Sequence, residues 1–325
     1  MAKPPNAAEV PIYPGDVVRE FYTIQRQIGA GTYGAIFSAF YKNGSVSKHC
    51  AIKFEKDMGN NCSLQQNEVM VMRALQGSVH FAKFYQCGMH EQYRFVSMEL
   101  LGPSVIQVVN RRRPYMFTLL QMLKFGIQAI QALREMHKAG IVHRDVKPDN
   151  FVIGNTKETA GIIYLIDFGL CKKMPYRYGK LIKPTQPCNF RGTMRYASPK
   201  AHLKVELGRS DDLISLMYMM IEFYVGKLPW TGIYDHEEVY RLKQQFLHGR
   251  LLTQMPTEFQ TFEDHIFSLD YLDKPNYTML IQLLYSAASK AGIDLNDPFE
   301  WEEEMNEQRE LIQQKQYEES NSRTY

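Results

Sequence analysis

The string His143-Arg144-Asp145-Val146-Lys147-Pro148-Asp149-Asn150, with Asp167-Phe168-Gly169 beginning 22 residues after Asp145, constrains this chain more than any other feature. It sets two carboxylates at hairpin distance, the first closely followed by Lys147 and Asn150. A polar surface loop between strands would tolerate such residues without requiring them together. A phosphoryl-transfer centre does require them, because it needs one carboxylate beside an acceptor hydroxyl and another on a metal ion.

Phosphoryl transfer also requires a hold on the nucleotide's phosphates. Gly29-Ala30-Gly31-Thr32-Tyr33-Gly34, flanked by Ile28 and Ile36, has the Gly-x-Gly-x-x-Gly form. A dinucleotide-binding turn would be followed at once by a helix, whereas Ala35-Ile36-Phe37-Ser38-Ala39-Phe40 is β-branched and aromatic. The glycines therefore sit between two strands, in a hairpin whose backbone N–H groups can approach phosphates. Ala51-Ile52-Lys53 reads as an apolar strand ending in one cation. In isolation that lysine is an exposed strand-end charge; beside the other strings it becomes the cation for the α/β-phosphates. Its carboxylate partner is expected from the following helix, where apolar residues fall at 64, 71, 72 and 75 and Glu68 is the sole acid between 64 and 75.

Together these strings resemble the catalytic, metal-binding and glycine-rich loops of a protein kinase. Met98-Glu99-Leu100-Leu101-Gly102-Pro103-Ser104 is similar to the hinge of the casein kinase 1 group. Arg191-Gly192-Thr193-Met194-Arg195-Tyr196-Ala197-Ser198, standing where most kinases carry Ala-Pro-Glu, agrees with that group. The segments 208–216 and 222–230, with Lys274-Pro275-Asn276-Tyr277 and Asp297-Pro298-Phe299-Glu300-Trp301-Glu302, most resemble its tau-tubulin kinase branch. Pro199-Lys200 departs from the small or polar pair of that pattern. The resemblance runs from about residue 15 to about residue 302.

It implies an α+β, bilobal protein kinase fold, with a small strand-rich N-lobe (about 15–101) and a larger helical C-lobe (about 102–302). It also implies a serine/threonine protein kinase using ATP and Mg2+, with a pseudokinase or scaffold as the alternative. The retained Lys53, Asp145 and Asp167 argue against that alternative. By the resemblance, Asp145 takes the acceptor's proton, Lys147 stabilises the transferring phosphoryl, Lys53 pairs with Glu68, and Asn150 and Asp167 ligate the metal. The nucleotide site would comprise Ile28, Gly29, Ala30, Gly31, Thr32, Tyr33, Gly34, Ala35, Ile36, Ala51, Lys53, Met98, Glu99 and Leu101, with adenine on the backbone of Glu99 and Leu101. Thr193 would bond Asp145 and Lys147, a serine/threonine feature, and Asp212 would cap the catalytic loop from beneath. Arg195 and Arg241 would bind a substrate anion.

Composition sets further bounds. At 325 residues and 45% hydrophobic, the chain can bury a large core and is long for one compact unit. The five cysteines are scattered without a Cys-x-x-Cys pair, and no signal-peptide stretch precedes them. Reduced thiols are expected, in the cytoplasm or also the nucleus; Cys171 is read as a small buried hydrophobe. Leu213 to Ile221 is too short to span a bilayer and predicts a buried helix, so no membrane partner is expected. Thr118 to His137 predicts another helix, apolar at 119, 120, 123, 127, 130, 133 and 136.

The net charge of +3 conceals a division. Nine Asp/Glu and three Lys/Arg lie from residue 297 onward, leaving 35 basic and 26 acidic residues before it. Residues 1–14 are expected to be extended or disordered, and 303–325 an acidic tail. Arg111-Arg112-Arg113 reads as an exposed helix end rather than a nucleic-acid site. Lys172 to Arg195 holds seven Lys/Arg and no acid, so acidic or phosphorylated protein segments are the expected partners of what reads as a monomer.

Overall fold

The computed structural model describes residues 10–31, 34–56, 64–111, 113 and 115–304. Strands β1 (Val17–Val18), β2 (Tyr22–Gly31), β3 (Gly34–Asn43), β4 (Val46–Lys56), β5 (Phe84–His90) and β6 (Tyr93–Glu99) form one antiparallel sheet, in the order β1-β2-β3-β4-β6-β5. Helix α1 (Leu64–Ala74) leaves the end of β4 and returns to β5. Register decides what each face of the sheet presents, since alternate residues point to opposite sides. Ala39 with Cys50, Phe37 with Ile52, and Ala35 with Phe54 pair across β3 and β4 and are buried in the lobe's own core. The residues in between, Ile36, Ala51, Lys53 and Met98, share the opposite face, paired as Ile36 with Lys53 and Ala51 with Met98.

The second lobe is helical: α2 (Val105–Val109), α3 (Leu119–Lys138), α4 (Pro199–His202), α5 (Arg209–Val225), α6 (His236–Gln245), α7 (Glu258–Ser268) and α8 (Tyr277–Lys290). Short strands β7 (Ile141–Val142), β8 (Phe151–Ile153), β9 (Ile163–Leu165), β10 (Lys172–Lys173), β11 (Tyr176–Arg177) and β12 (Lys180–Leu181) pair as β7 with β10, β8 with β9, and β11 with β12. Thr118 caps α3 by accepting from Gln121 N, and the Gln121 side chain accepts from Thr118 N, so the helix starts where the sequence places it. Every residue from Leu213 to Ile221 is buried, making α5 the central helix of the lobe. No helix among the described residues is long and apolar enough to cross a membrane.

Packing begins before the expected N-terminal edge. Val10 and Ile12 are buried in the small-lobe core, so residues 10–14 belong to the packed unit because two apolar side chains find room against the sheet. Residues 1–9 lie outside the described residues. At the other end Phe299 and Trp301 stack 4.0 Å apart, and Trp301 Nε1 donates to Ala160 O at 2.9 Å. The chain is thereby docked to residue 302 and helical through 304; the rest of the expected acidic tail, 305–325, lies outside the described residues.

Candidate active site

The catalytic string occupies the turn between β7 and β8, and Asp212 at the start of α5 fixes it. Its Oδ2 accepts from His143 N (2.7 Å) and its Oδ1 from Arg144 N (2.8 Å), while His137 Nε2 lies 2.8 Å from Oδ2. Burial would raise the Asp212 pKa, but the bonds from His137 and His143 outweigh it and hold the carboxyl below its ordinary value. The turn is left-handed at Arg144, φ +66°, directly before the buried Asp145. Lys147 Nζ lies 2.7 Å from Asp145 Oδ2, and Thr193 Oγ1 donates to Asp145 Oδ1 at 2.8 Å. The expected Thr193–Asp145 bond is thus present.

Asn150 Nδ2 donates to Asp145 O at 2.9 Å, which leaves the amide oxygen as the free donor atom for a cation. Ile166 N donates to Asn150 O, bringing Asp167 beside Asn150. One carboxylate and one amide oxygen suit Mg2+, which keeps several waters and takes phosphate oxygens for its other positions. The donor set therefore fits the ion that the family implies.

On the sheet side, Lys53 Nζ reaches Glu68 Oε2 at 2.6 Å. Burial pulls the ammonium down, yet Glu68 and Asp167 outweigh it and raise Lys53 above the ordinary lysine pKa. Helix α1 is held inward by the residue before Glu68: Asn67 Nδ2 donates to Phe168 O (3.2 Å) and Cys171 O (2.8 Å). The Phe168 ring packs 6.0 Å from Phe81 and 6.2 Å from His143, with Asp167 at φ +64°. In the glycine hairpin, β2 and β3 pair through Gly31 and Gly34, and a Cβ on Gly34 would collide with the Phe54 carbonyl. Thr32 and Tyr33 lie outside the described residues. Cys171 is buried and its thiol is pushed well up by burial, the unreactive state expected of it.

The sequence matches the family model of a protein kinase domain over residues 22–291. The chain belongs to the protein kinase family. A probable serine/threonine-protein kinase of Dictyostelium discoideum is 38% identical over 292 residues, 90% of this chain and 58% of that relative. The chain thus spans little more than half the relative's length.

Three residues that bear on this kinase site escaped the sequence reading. Glu206 accepts from Arg144 Nη1 (3.0 Å) and Lys172 Nζ (2.5 Å), and Arg144 Nε donates to Leu170 O. Its signal was available: Glu206 is the single acid between Asp167 and Asp211. Asn67 is the second and Lys243, described below, the third. Arg195 and Arg241, grouped in the sequence as one anion site, each have a carboxylate of their own. Arg195 pairs with Glu222 at 3.3 Å, and Arg241 makes two bonds to Glu238, at 2.7 and 2.8 Å. Lys200 of the departing Pro199-Lys200 pair donates to Leu269 O.

Proposed function

We propose that this chain is a serine/threonine protein kinase of the casein kinase 1 group, near its tau-tubulin kinase branch, which transfers the ATP γ-phosphoryl to hydroxyls of acidic or phosphorylated protein segments. The observation that carries the reading is Asp145 held between Lys147 and Thr193 while Lys53 and Glu68 are closed. A carboxylate has about four lone-pair sites, so Asp145 can still accept a bond from an incoming hydroxyl. As the acceptor oxygen bonds to the γ-phosphorus, the β–γ bridge breaks, ADP leaves, and the acceptor's proton passes to Asp145. Lys147 stands beside that carboxylate and stabilises the negative charge of the transferring group. Lys53, kept charged by its carboxylates, positions the α/β-phosphates. Asn150 and Asp167 would hold Mg2+, which supplies charge neutralisation on the phosphate oxygens. A pseudokinase reading is disfavoured because Lys53, Asp145 and Asp167 are all present and the first two are paired as transfer requires.

Substrate preference rests on the loop after Asp167. Of its seven basic residues, Lys172, Lys183 and Arg195 have carboxylate partners, Glu206, Asp270 and Glu222. Lys173, Arg177, Lys180 and Arg191 have no such ion pair among the described residues, and their field reaches the incoming peptide. A substrate anion would reach Arg195 or Arg241 by displacing Glu222 or Glu238, an exchange open to a phosphate. The test is a panel of serine peptides, differing only in acidic or phosphorylated neighbours, incubated with γ-labelled ATP and Mg2+. Acidic and phosphorylated members should be labelled faster, with the advantage shrinking as salt rises; equal rates across the panel sink the preference, and no label on any peptide counts against kinase activity.

A further inference from the structure

Lys243 on α6 is 1% exposed, yet no ion pair offsets its burial among the described residues. Its Nζ donates to the carbonyls of Met194 and Ala197, both at 2.6 Å, and lies 3.3 Å from His202 Nε2. The rings of Tyr218 and Trp230 stand 5.5 and 5.4 Å away, and Trp230 Nε1 donates to the intervening Arg195 carbonyl at 2.8 Å. A buried cation without a counter-charge is costly, and an apolar side chain of similar length would avoid that cost while losing both carbonyl contacts. Those carbonyls lie one and four residues beyond Thr193, whose hydroxyl bonds Asp145.

We propose, resting on the kinase reading above, that Met194–Ala197, which follows Thr193 beside Asp145, forms part of the peptide site, that Lys243 is a positioning residue for this segment, and that the proton on its Nζ governs how firmly the segment is held for the incoming peptide. An ammonium has three donors for its three acceptors, Met194 O, Ala197 O and His202 Nε2. The neutral amine has two donors, so deprotonation loses one contact. Burial among neutral groups pushes Lys243 down to about 7. Burial, with Lys243 and His236 adding to it, pushes His202 on α4 down to about 4, which keeps its ring a neutral acceptor. On α5, Tyr218 is pushed up by burial, and Glu222 is engaged by Tyr196 and Arg195. Tyr240 and His236 of α6 contact the His202 ring, which makes His236 the group to control for.

The two consequences of deprotonation have opposite signs. Because the folded pKa lies below the ordinary 10.5, the unfolded chain binds more protons between those values, and stability rises with pH across that window. A purely structural lysine shows only this rise. A positioning lysine also loosens the segment, so the peptide KM should rise about three- to ten-fold from pH 6.5 to 8.5, the equivalent of one hydrogen bond. The experiment measures KM for an acidic serine peptide and for ATP at both pH values, in the wild type, Lys243→Met and His236→Asn. The wild type and His236→Asn should show the peptide effect with an unchanged ATP KM, and Lys243→Met a raised, pH-independent peptide KM. A wild-type peptide KM that changes less than two-fold, or an equal pH response in Lys243→Met, overturns this role alone, and the wild-type profile decides it even if the variant does not fold. Absence of transfer at every pH overturns the kinase reading and this role together.

Discussion

Glu206 stands where two cations of the catalytic region converge, so Glu206→Gln should disturb both stability and transfer. Arg144 and Glu206 are 9% and 8% exposed, whereas Lys172 is 39% exposed and its share is screened. Breaking a buried pair by removing one charge costs about 3–5 kcal/mol; glutamine keeps an acceptor oxygen, which brings the expected loss to roughly 2–3 kcal/mol. For a domain of this size that corresponds to a Tm lowered by roughly 3–5 °C. Burial raises the Glu206 pKa but Lys172 and Arg144 lower it further, so the contribution is complete above the ordinary value of 4.5 and disappears as pH falls through the lowered one. Arg144 directly precedes Asp145 and ties the catalytic loop to Leu170, so the displaced guanidinium should also cost about ten-fold in kcat, equivalent to about 1.4 kcal/mol. Since a carboxylate of the chain itself already neutralises Arg144, activity should survive phosphatase treatment. Peptide phosphorylation and thermal melting of wild type and variant provide the assay. A variant with kcat within two-fold and Tm within about 1 °C of wild type, or wild-type activity abolished by phosphatase, refutes the reasoning.

Two further substitutions separate the roles of the small lobe. Lys53→Met should cut transfer by orders of magnitude while nucleotide affinity falls only several-fold, because adenine is held at the hinge; titration with a fluorescent nucleotide beside rate measurements checks this, and parallel losses contradict it. Asn67→Leu removes the two bonds from α1 to Phe168 and Cys171 without a large volume change, so kcat should fall about ten-fold with near-wild-type melting; unchanged kcat means that the Phe168 packing alone holds α1.

Local strings carried most of the site. Asp145, Lys147, Asn150 and Asp167 sit in two short segments, and Lys53 and Glu68 on a strand and the helix after it, so the motif strings located them and the family resemblance supplied their roles. The strands around the glycine hairpin and Lys53, α3 and α5 were legible from their apolar patterning, and the rest of the N-lobe sheet came with the family resemblance. Contacts between distant segments were not legible, apart from the two that the family resemblance supplied, Thr193 with Asp145 and Asp212 beneath the catalytic loop. Arg144 and Glu206 are 62 residues apart, Asn67 and Phe168 101, and Lys243 and Met194 49. Sequence marks such residues as an acid, an amide and a lysine but does not pair them. At the proposed anion site the carboxylates were missed: Arg241 and Glu238 are a readable i, i+3 helix pair, and counting the basic residues alone hid it.

The central claim is that Asp145, Asn150 and Asp167 form a competent transfer centre with the paired Lys53. Its most direct measurement is single-turnover transfer of labelled γ-phosphoryl to a serine peptide by wild type, Asp145→Asn and Asp167→Asn, each checked for an unchanged melting temperature. The geometry predicts transfer by the wild type and losses of several orders of magnitude in both variants with the fold intact. Transfer by either variant within ten-fold of wild type would contradict the account.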